Sequence, residues 1–182
     1  ESRAAALSAG RGGETDTLYF GGGTPSMLSD THLGRLMETL DRLVPVDKLD
    51  EFSFEANPAT FTEKKVRFWR SLGMTRVSLG VQSLDSGILR LLGREHTPDQ
   101  ALRSVEMLKN AGMPHINMDL MFAIPGQPLS IWEATLKEAV RAGTDHISAY
   151  NLTYEEDTEF FRSLLRGEKR QDPDEDAAYF EL

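Results

Sequence analysis

The stretch His115-Ile116-Asn117-Met118-Asp119-Leu120-Met121-Phe122-Ala123-Ile124-Pro125-Gly126-Gln127 decides the fold. Neighbours in a strand point to opposite faces, so Ile116, Met118 and Leu120 share one side, and Asn117, Asp119 and Met121 the other. A Pro-Gly turn follows. Ile131, Leu136, Ala139 and Val140 then recur at helical spacing as far as Gly143, a left-handed helix terminator. A second run begins at His146. Strand, turn, helix, strand is the beat of a βα unit, whose crossover makes successive strands parallel.

The same beat runs outward in both directions. Five short apolar runs, Thr17–Phe20, Glu51–Ala56, Arg76–Val81, His115–Phe122 and His146–Leu152, recur along the chain. Their starts lie roughly 25 to 40 residues apart, a spacing for βα units rather than hairpins. Between them, Leu33, Leu36, Met37, Leu40 and Leu43 fall at helical spacing behind the cap candidates Ser29 and Asp30. Val66, Trp69, Arg70 and Leu72 follow Thr62, whose capping box carries Lys65 where Glu is favoured. Ala101, Leu102, Val105 and Leu108 lie in a segment from Pro98 to Ala111 that stops at Gly112. Asp157–Arg166 is expected to be helical, and Asp172-Pro173 offers a cap and first-turn proline for one more helix. Residues 1–16 are expected to be a polar tail or helix remnant, and residues 17–182 one domain cut within that last helix. The fold class is α/β with a parallel sheet. A doubly wound open sheet and a (β/α) barrel, closed or partial, both fit this pattern.

Composition narrows the function. The 182 residues are 40% hydrophobic, carry a formal net charge of −9 and include no cysteine. Disulfides, thiol catalysis and thiolate metal sites are therefore excluded within these residues. An acidic chain without a basic cluster is a poor binder of nucleic-acid phosphates, and an anionic ligand would need a local arginine. No segment approaches the roughly 20 apolar residues of a membrane span and no signal peptide is visible, so a cytoplasmic location is expected.

The polar residues cluster by strand face. Ser53, Glu55 and Asn57 oppose Phe52 and Phe54; Ser78, Gly80 and Gln82 oppose Val77, Leu79 and Val81; Ser148, Tyr150 and Leu152 oppose Ala149, Asn151 and Thr153. Strands covered on both faces are usually apolar throughout. Burying an unpaired carboxylate costs several kcal/mol, so Glu55 and Asp119 are expected to face a wet or liganded cavity. They lie toward the C-terminal strand ends, where barrels carry their chemistry. For any one of them, an internal hydrogen bond tying loops together is the other reading.

Among the motifs, Gly21-Gly22-Gly23-Thr24-Pro25 directly follows the first strand, and consecutive glycines permit both positive φ and close approach of a ligand. A tight βα turn needs the same residues, and neither a GxGxxG nor a P-loop pattern is present. Arg94 follows the helical segment Leu84–Leu92, where a cation suits the helix end and a guanidinium can grip a carboxylate in two places. The four histidines are not spaced as metal ligands. His96 lies near the site, whereas His115 and His146, at strand beginnings, are expected to be structural and away from the chemistry.

Six segments taken in order resemble one family. They are Phe20-Gly21-Gly22-Gly23-Thr24-Pro25-Ser26, Glu55-Ala56-Asn57-Pro58, Leu79-Gly80-Val81-Gln82-Ser83, Leu91-Leu92-Gly93-Arg94, Asp119-Leu120-Met121 with Pro125-Gly126-Gln127, and His146-Ile147-Ser148-Ala149-Tyr150. The chain resembles, from Leu18 to about Asp176, the oxygen-independent coproporphyrinogen III oxidases and their heme-chaperone relatives, which are radical S-adenosylmethionine proteins. The resemblance implies a partial (β/α) barrel of parallel strands that binds S-adenosylmethionine at its C-terminal strand ends. Gly22, Gly23 and Thr24 would line the methionine end, and Glu55, Gln82 and Arg94 would hold its polar groups, Arg94 the carboxylate. Asp119 and Thr153 would lie toward the ribose and adenine.

In the family a Cys-x3-Cys-x2-Cys loop upstream of the glycine triplet, after the first barrel strand, holds a 4Fe-4S cluster. The resemblance therefore makes this chain a fragment without that strand and loop, expected to be inactive in radical chemistry itself. For the parent it implies oxidative decarboxylation of coproporphyrinogen III, with an electron donor. The alternative is a chaperone that binds heme and transfers it to acceptor proteins without porphyrin turnover. Ser83, Leu-Leu-Gly-Arg before His96 and His-Ile-Ser-Ala-Tyr are closer to the chaperone branch. Phe122-Ala123-Ile124 departs from the family's usual Tyr-Gly-Leu, and the extra methyl at Ala123 is expected to crowd a backbone–ligand approach.

Overall fold

The computed structural model describes residues 15–151 and 173–182. Five strands, β1 (Thr17–Phe20), β2 (Glu51–Ala56), β3 (Arg76–Gln82), β4 (His115–Phe122) and β5 (His146–Asn151), form one sheet. All pairings are parallel and the order is β1-β2-β3-β4-β5. This order separates the two architectures left open by the strand spacing. A doubly wound sheet reverses its order at a switch point, and no reversal occurs here. The sheet is singly wound, as in a barrel, with β1 and β5 as open edges.

The helices among the described residues are α1 (Asp30–Leu40), α2 (Glu63–Ser71), α3 (Ser86–Leu91), α4 (Pro98–Asn110), α5 (Leu129–Ala142) and α6 (Pro173–Phe180). Their ends obey local chemistry. Ser29 caps α1 by accepting from the His32 backbone N–H at 3.2 Å. Thr62 caps α2 through the Lys65 N–H at 3.4 Å, so the half of the capping box that the sequence retains does form. At α4 both halves form between Thr97 and Gln100, a signal the sequence reading passed over. Gly143, at φ 63°, ends α5 in the left-handed conformation. Helix α1 stops at Leu40, leaving Leu43 beyond it, and α3 stops at Leu91. The expected helix Asp157–Arg166 lies outside the described residues.

One face of the sheet is apolar and carries the helices. Phe52, Phe54, Val77, Leu79, Val81, Ile116, Met118 and Leu120 are buried against Leu33, Met37, Val66, Trp69, Val105, Leu108 and Trp132. Trp69 binds the layers, with ring centroids 4.8 Å from Phe54 and 5.2 Å from Phe61. Each large apolar side chain so buried stabilises the fold by roughly 1.5–3 kcal/mol. With these helices on the apolar side, the polar face is left as a trough. Tyr19 of β1 and Tyr150 of β5, from opposite edges, line one cavity, so the sheet curls around it.

Candidate functional site

The trough holds two adjoining cavities. The larger, about 510 Å³, runs toward the strand beginnings and is lined by residues including Glu51, Arg76, Asn117 and His146. The smaller, about 290 Å³, lies at the C-terminal strand ends. Gly23, Thr24, Glu55, Gln82, Arg94 and Asp119 all line this second cavity. Gly22 stands beside it in the same loop, and Thr153 lies outside the described residues. Asn57, Ser78, Gly80 and Tyr150 complete the wall. For Asn57, Ser78 and Gly80 the available signal was parity with Glu55 and Gln82, whereas Tyr150 has the opposite parity to Thr153 and that expectation pointed away from it.

Glu55 holds the glycine loop. One carboxylate oxygen accepts from the Gly22 N–H at 2.8 Å, and the other from the Tyr19 hydroxyl. That bond, followed by burial and the Glu55 charge, pushes the Tyr19 phenol up to about 12. The close approach requires Gly21 to lack a side chain, because a Cβ there would stand 2.3 Å from Tyr19 Cε1 and 2.9 Å from Glu55 Oε1. Gly22 sits at φ 81° with open space around a would-be Cβ, so its backbone conformation, not crowding, calls for glycine.

Asp119, expected like Glu55 to face a wet or liganded cavity, has partners. Ser78 Oγ donates to one oxygen at 2.8 Å and Asn117 Nδ2 to the other at 2.7 Å. Burial nevertheless raises its pKa above the usual carboxylate value, and the Glu55 charge adds to that, against the lowering by Ser78 and Asn117. Tyr150 faces the same charges. Burial and then Asp119 push its hydroxyl up to about 12, so it stays protonated.

Two groups in the smaller cavity are unmatched. Gln82 is 7% exposed, and its Oε1 is buried with no hydrogen-bond partner among the described residues. Its backbone is unusual too: φ is 67°, the β3–β4 register shifts between Leu79 and Gln82, and the Ser83 N–H reaches back to Val81 O at 2.8 Å. A tight turn of this kind is costly for a non-glycine residue. Arg94, half-buried, follows the left-handed Gly93 and makes no ion pair among the described residues.

The histidines divide differently from expectation. His96 is buried behind the site with Nε2 3.0 Å from Val81 O, and burial lowers its pKa. His146, expected to stand apart from the chemistry, lines the trough with its Nδ1 2.6 Å from Asn117 Oδ1. The strand-end argument missed it because the polar face runs the full length of the strands. Ala123 follows β4 at φ 52° and is buried, so an alanine occupies a backbone conformation that glycine favours.

The residues fit S-adenosylmethionine. Among the described residues Arg94 has no carboxylate partner and Gln82 Oε1 no donor, which leaves both for ligand groups, and Asp119 is an acceptor beside them. They do not fit an iron–sulfur cluster: there is no thiolate in the chain, and no group of three or more metal-ligating side chains occurs among the described residues. No described helix is long and apolar enough to cross a membrane.

A singly wound parallel sheet with a polar trough on the face away from its helices defines a fold of the (β/α)-barrel class. The class has a family: the Radical SAM superfamily model matches residues 1–139, and the chain belongs to that superfamily. Among curated relatives, the heme chaperone HemW of Lactococcus lactis is 36% identical over 151 residues, covering 83% of this chain and 40% of the relative. HemW of Bacillus subtilis is 34% identical over 163 residues, covering 89% of this chain and 43% of the relative. The chain thus spans less than half the length of either. The solved structure of coproporphyrinogen III oxidase (HemN) from Escherichia coli, described as a radical SAM enzyme, aligns with a TM-score of 0.74 at 27% identity. That alignment covers 85% of this chain and 35% of HemN.

Proposed function

We propose that this chain is the S-adenosylmethionine-binding part of a heme chaperone, a protein that holds heme and passes it to acceptors. One observation carries the binding reading: Gln82 Oε1 and Arg94, neither of them paired among the described residues, line the same cavity of about 290 Å³ as Asp119. Arg94 grips the amino-acid carboxylate, the Gly22–Thr24 loop lines the methionine end, Gln82 accepts from a ligand N–H or O–H, and Asp119 takes the ribose hydroxyls. Glu55 acts through the loop it clamps. Bound S-adenosylmethionine supplies one-electron chemistry only beside a cluster, which these residues do not ligate.

The curated relatives named heme chaperone support the chaperone over oxidative decarboxylation, the main expectation from the resemblance. The likeness to HemN favours the oxidase as second reading. Calorimetric titration of the chain with S-adenosylmethionine is expected to give saturable one-to-one binding that Arg94→Ala weakens by about 100-fold. No heat with the parent, or equal heat with the variant, overturns the site. The two branches separate in the complete cluster-loaded protein: heme transfer to an apo acceptor supports the chaperone, and decarboxylation of coproporphyrinogen III supports the oxidase.

A further inference from the structure

Asn117 is buried in the middle of the trough, and its hydrogen bonds leave little freedom. Its Nδ2 lies 2.7 Å from Asp119 Oδ1, 2.7 Å from Ser78 Oγ and 2.9 Å from Ser148 Oγ. Its Oδ1 lies 2.6 Å from His146 Nδ1 and 3.2 Å from Ser148 Oγ. Ser78 gives its one hydroxyl proton to Asp119 Oδ2, so toward Asn117 it can only accept. An ionised carboxylate only accepts as well. Asn117 must therefore turn its NH2 toward Asp119 and Ser78 and its carbonyl toward His146. That orientation in turn requires a proton on His146 Nδ1, which leaves Nε2 bare in the neutral ring. One carboxylate thus dictates an amide orientation and, through it, a histidine tautomer on the neighbouring strand.

We propose that His146 is a positioning residue: its Nδ1–H locks Asn117, and Asn117 together with Ser78 locks the Asp119 carboxylate in the rotamer that faces the smaller cavity. The clamp rests on the reading of that cavity as the S-adenosylmethionine site, which it deepens. His146 contributes no atom to the smaller cavity and acts only through Asn117. It differs in this from a metal ligand's supporting carboxylate only in what it orients, and the logic of an outer hydrogen-bond partner fixing an inner group is the same. Being exposed at the start of β5, it can be replaced without opening the core, unlike the buried Asn117.

Two measurements on the chain test this. Long-range ¹⁵N–¹H spectra of the imidazoles are expected to show His146 as the Nδ1–H tautomer, with the Nε2–H form growing in when Asp119→Ala frees Asn117 to turn. An Nε2–H ring in the parent, or a tautomer indifferent to Asp119→Ala, overturns the clamp. Titration with S-adenosylmethionine is expected to show His146→Leu weakening binding by about fivefold, the worth of one hydrogen bond. His146→Asn, whose amide N–H stands where Nδ1–H stood, is expected to restore it. Binding of His146→Leu equal to the parent overturns the proposal while leaving the site reading intact. A parent that binds no S-adenosylmethionine sinks the site reading, and the tautomer spectra then decide the clamp alone.

Discussion

The two ends of the trough are made from the same strands, yet they treat charge in opposite ways. At the strand beginnings, Arg76 Nε meets Glu51 Oε2 at 2.7 Å and Ser53 donates to Glu51 Oε1 at 2.5 Å. Those partners, Ser53 first and then Arg76, hold the Glu51 carboxyl below its usual value. At the strand ends, Gln82 Oε1 has no partner and Arg94 no carboxylate among the described residues, and Asp119 is pushed upward by burial. Backbone strain follows the same division. Among the described residues, the non-glycine residues at positive φ are Ala59, Gln82 and Ala123, each at or just past the C-terminal end of a strand. One end completes its own interactions and serves as scaffold. The other leaves polar groups unmatched among the described residues, the local inconsistency on which the proposed ligand site rests.

The largest test of this contrast compares the two arginines. Arg94→Ala is expected to lower S-adenosylmethionine affinity by about 100-fold in calorimetry, the loss of a charge-assisted contact worth about 2–3 kcal/mol. Arg76→Ala is expected to change it by less than about threefold. Equal losses would erase the distinction between the ends. Next comes Gln82→Met, which removes the orphaned Oε1 together with the hydrogen bond of the Gln82 side chain to Tyr150. The two changes oppose each other, so the ligand-free chain is expected to stay within about 1 kcal/mol of the parent in urea unfolding, and a larger loss would mean that the whole amide, Oε1 included, is satisfied in the free protein.

The carboxylates sharpen the contrast through pH. The folded state holds the Asp119 proton more tightly than the unfolded chain does, so stability falls as pH rises from the ordinary carboxylate value through the raised one. Asp119→Asn is expected to raise the urea midpoint above that window and to match the parent below it. Glu51 tilts the other way. Its contribution is present above the ordinary carboxylate value and is lost as pH falls through its lowered one. Because the pair is partly exposed, Glu51→Gln is expected to cost only a few tenths of a kcal/mol at neutral pH. If both variants shift the pH profile in the same direction, the ends do not differ. A comparably small effect is expected at Ala123: glycine there relieves the left-handed strain but loosens the unfolded chain, for a net gain of a few tenths of a kcal/mol in thermal unfolding.

Much of this was legible in the sequence because alternation assigns a face without any knowledge of the fold. Phe52, Val77, Leu79, Ile116 and Met118 went to the core, and Glu55, Gln82 and Asp119 to one cavity, on parity alone. Strand order was not legible, since βα spacing is common to singly and doubly wound sheets, and only the pairing distinguishes them. Glu51, Arg76 and His146 were read as strand boundaries because attention stopped at the C-terminal ends. Glu55 was read as a ligand contact, and its bonds to Gly22 and Tyr19 depend on a loop path that no local pattern encodes. The departure at Ala123 was noticed as a crowding methyl, whereas its physical content is a backbone angle.

The sequential order of the sheet also has a consequence in time. Thr17 lies opposite Glu51, Ser53 opposite Arg76, Arg76 opposite His115 and Asn117 opposite His146, so every strand finds its partner one βα unit away. A chain leaving the ribosome N-terminus first can dock each new strand on the one just made, without waiting for a distant segment. The glycine loop after β1 is synthesised before its clamp, Glu55, and both before the strand that carries Asp119. The smaller cavity is therefore assembled in the order in which it is translated, and Tyr150 on β5 closes its wall last.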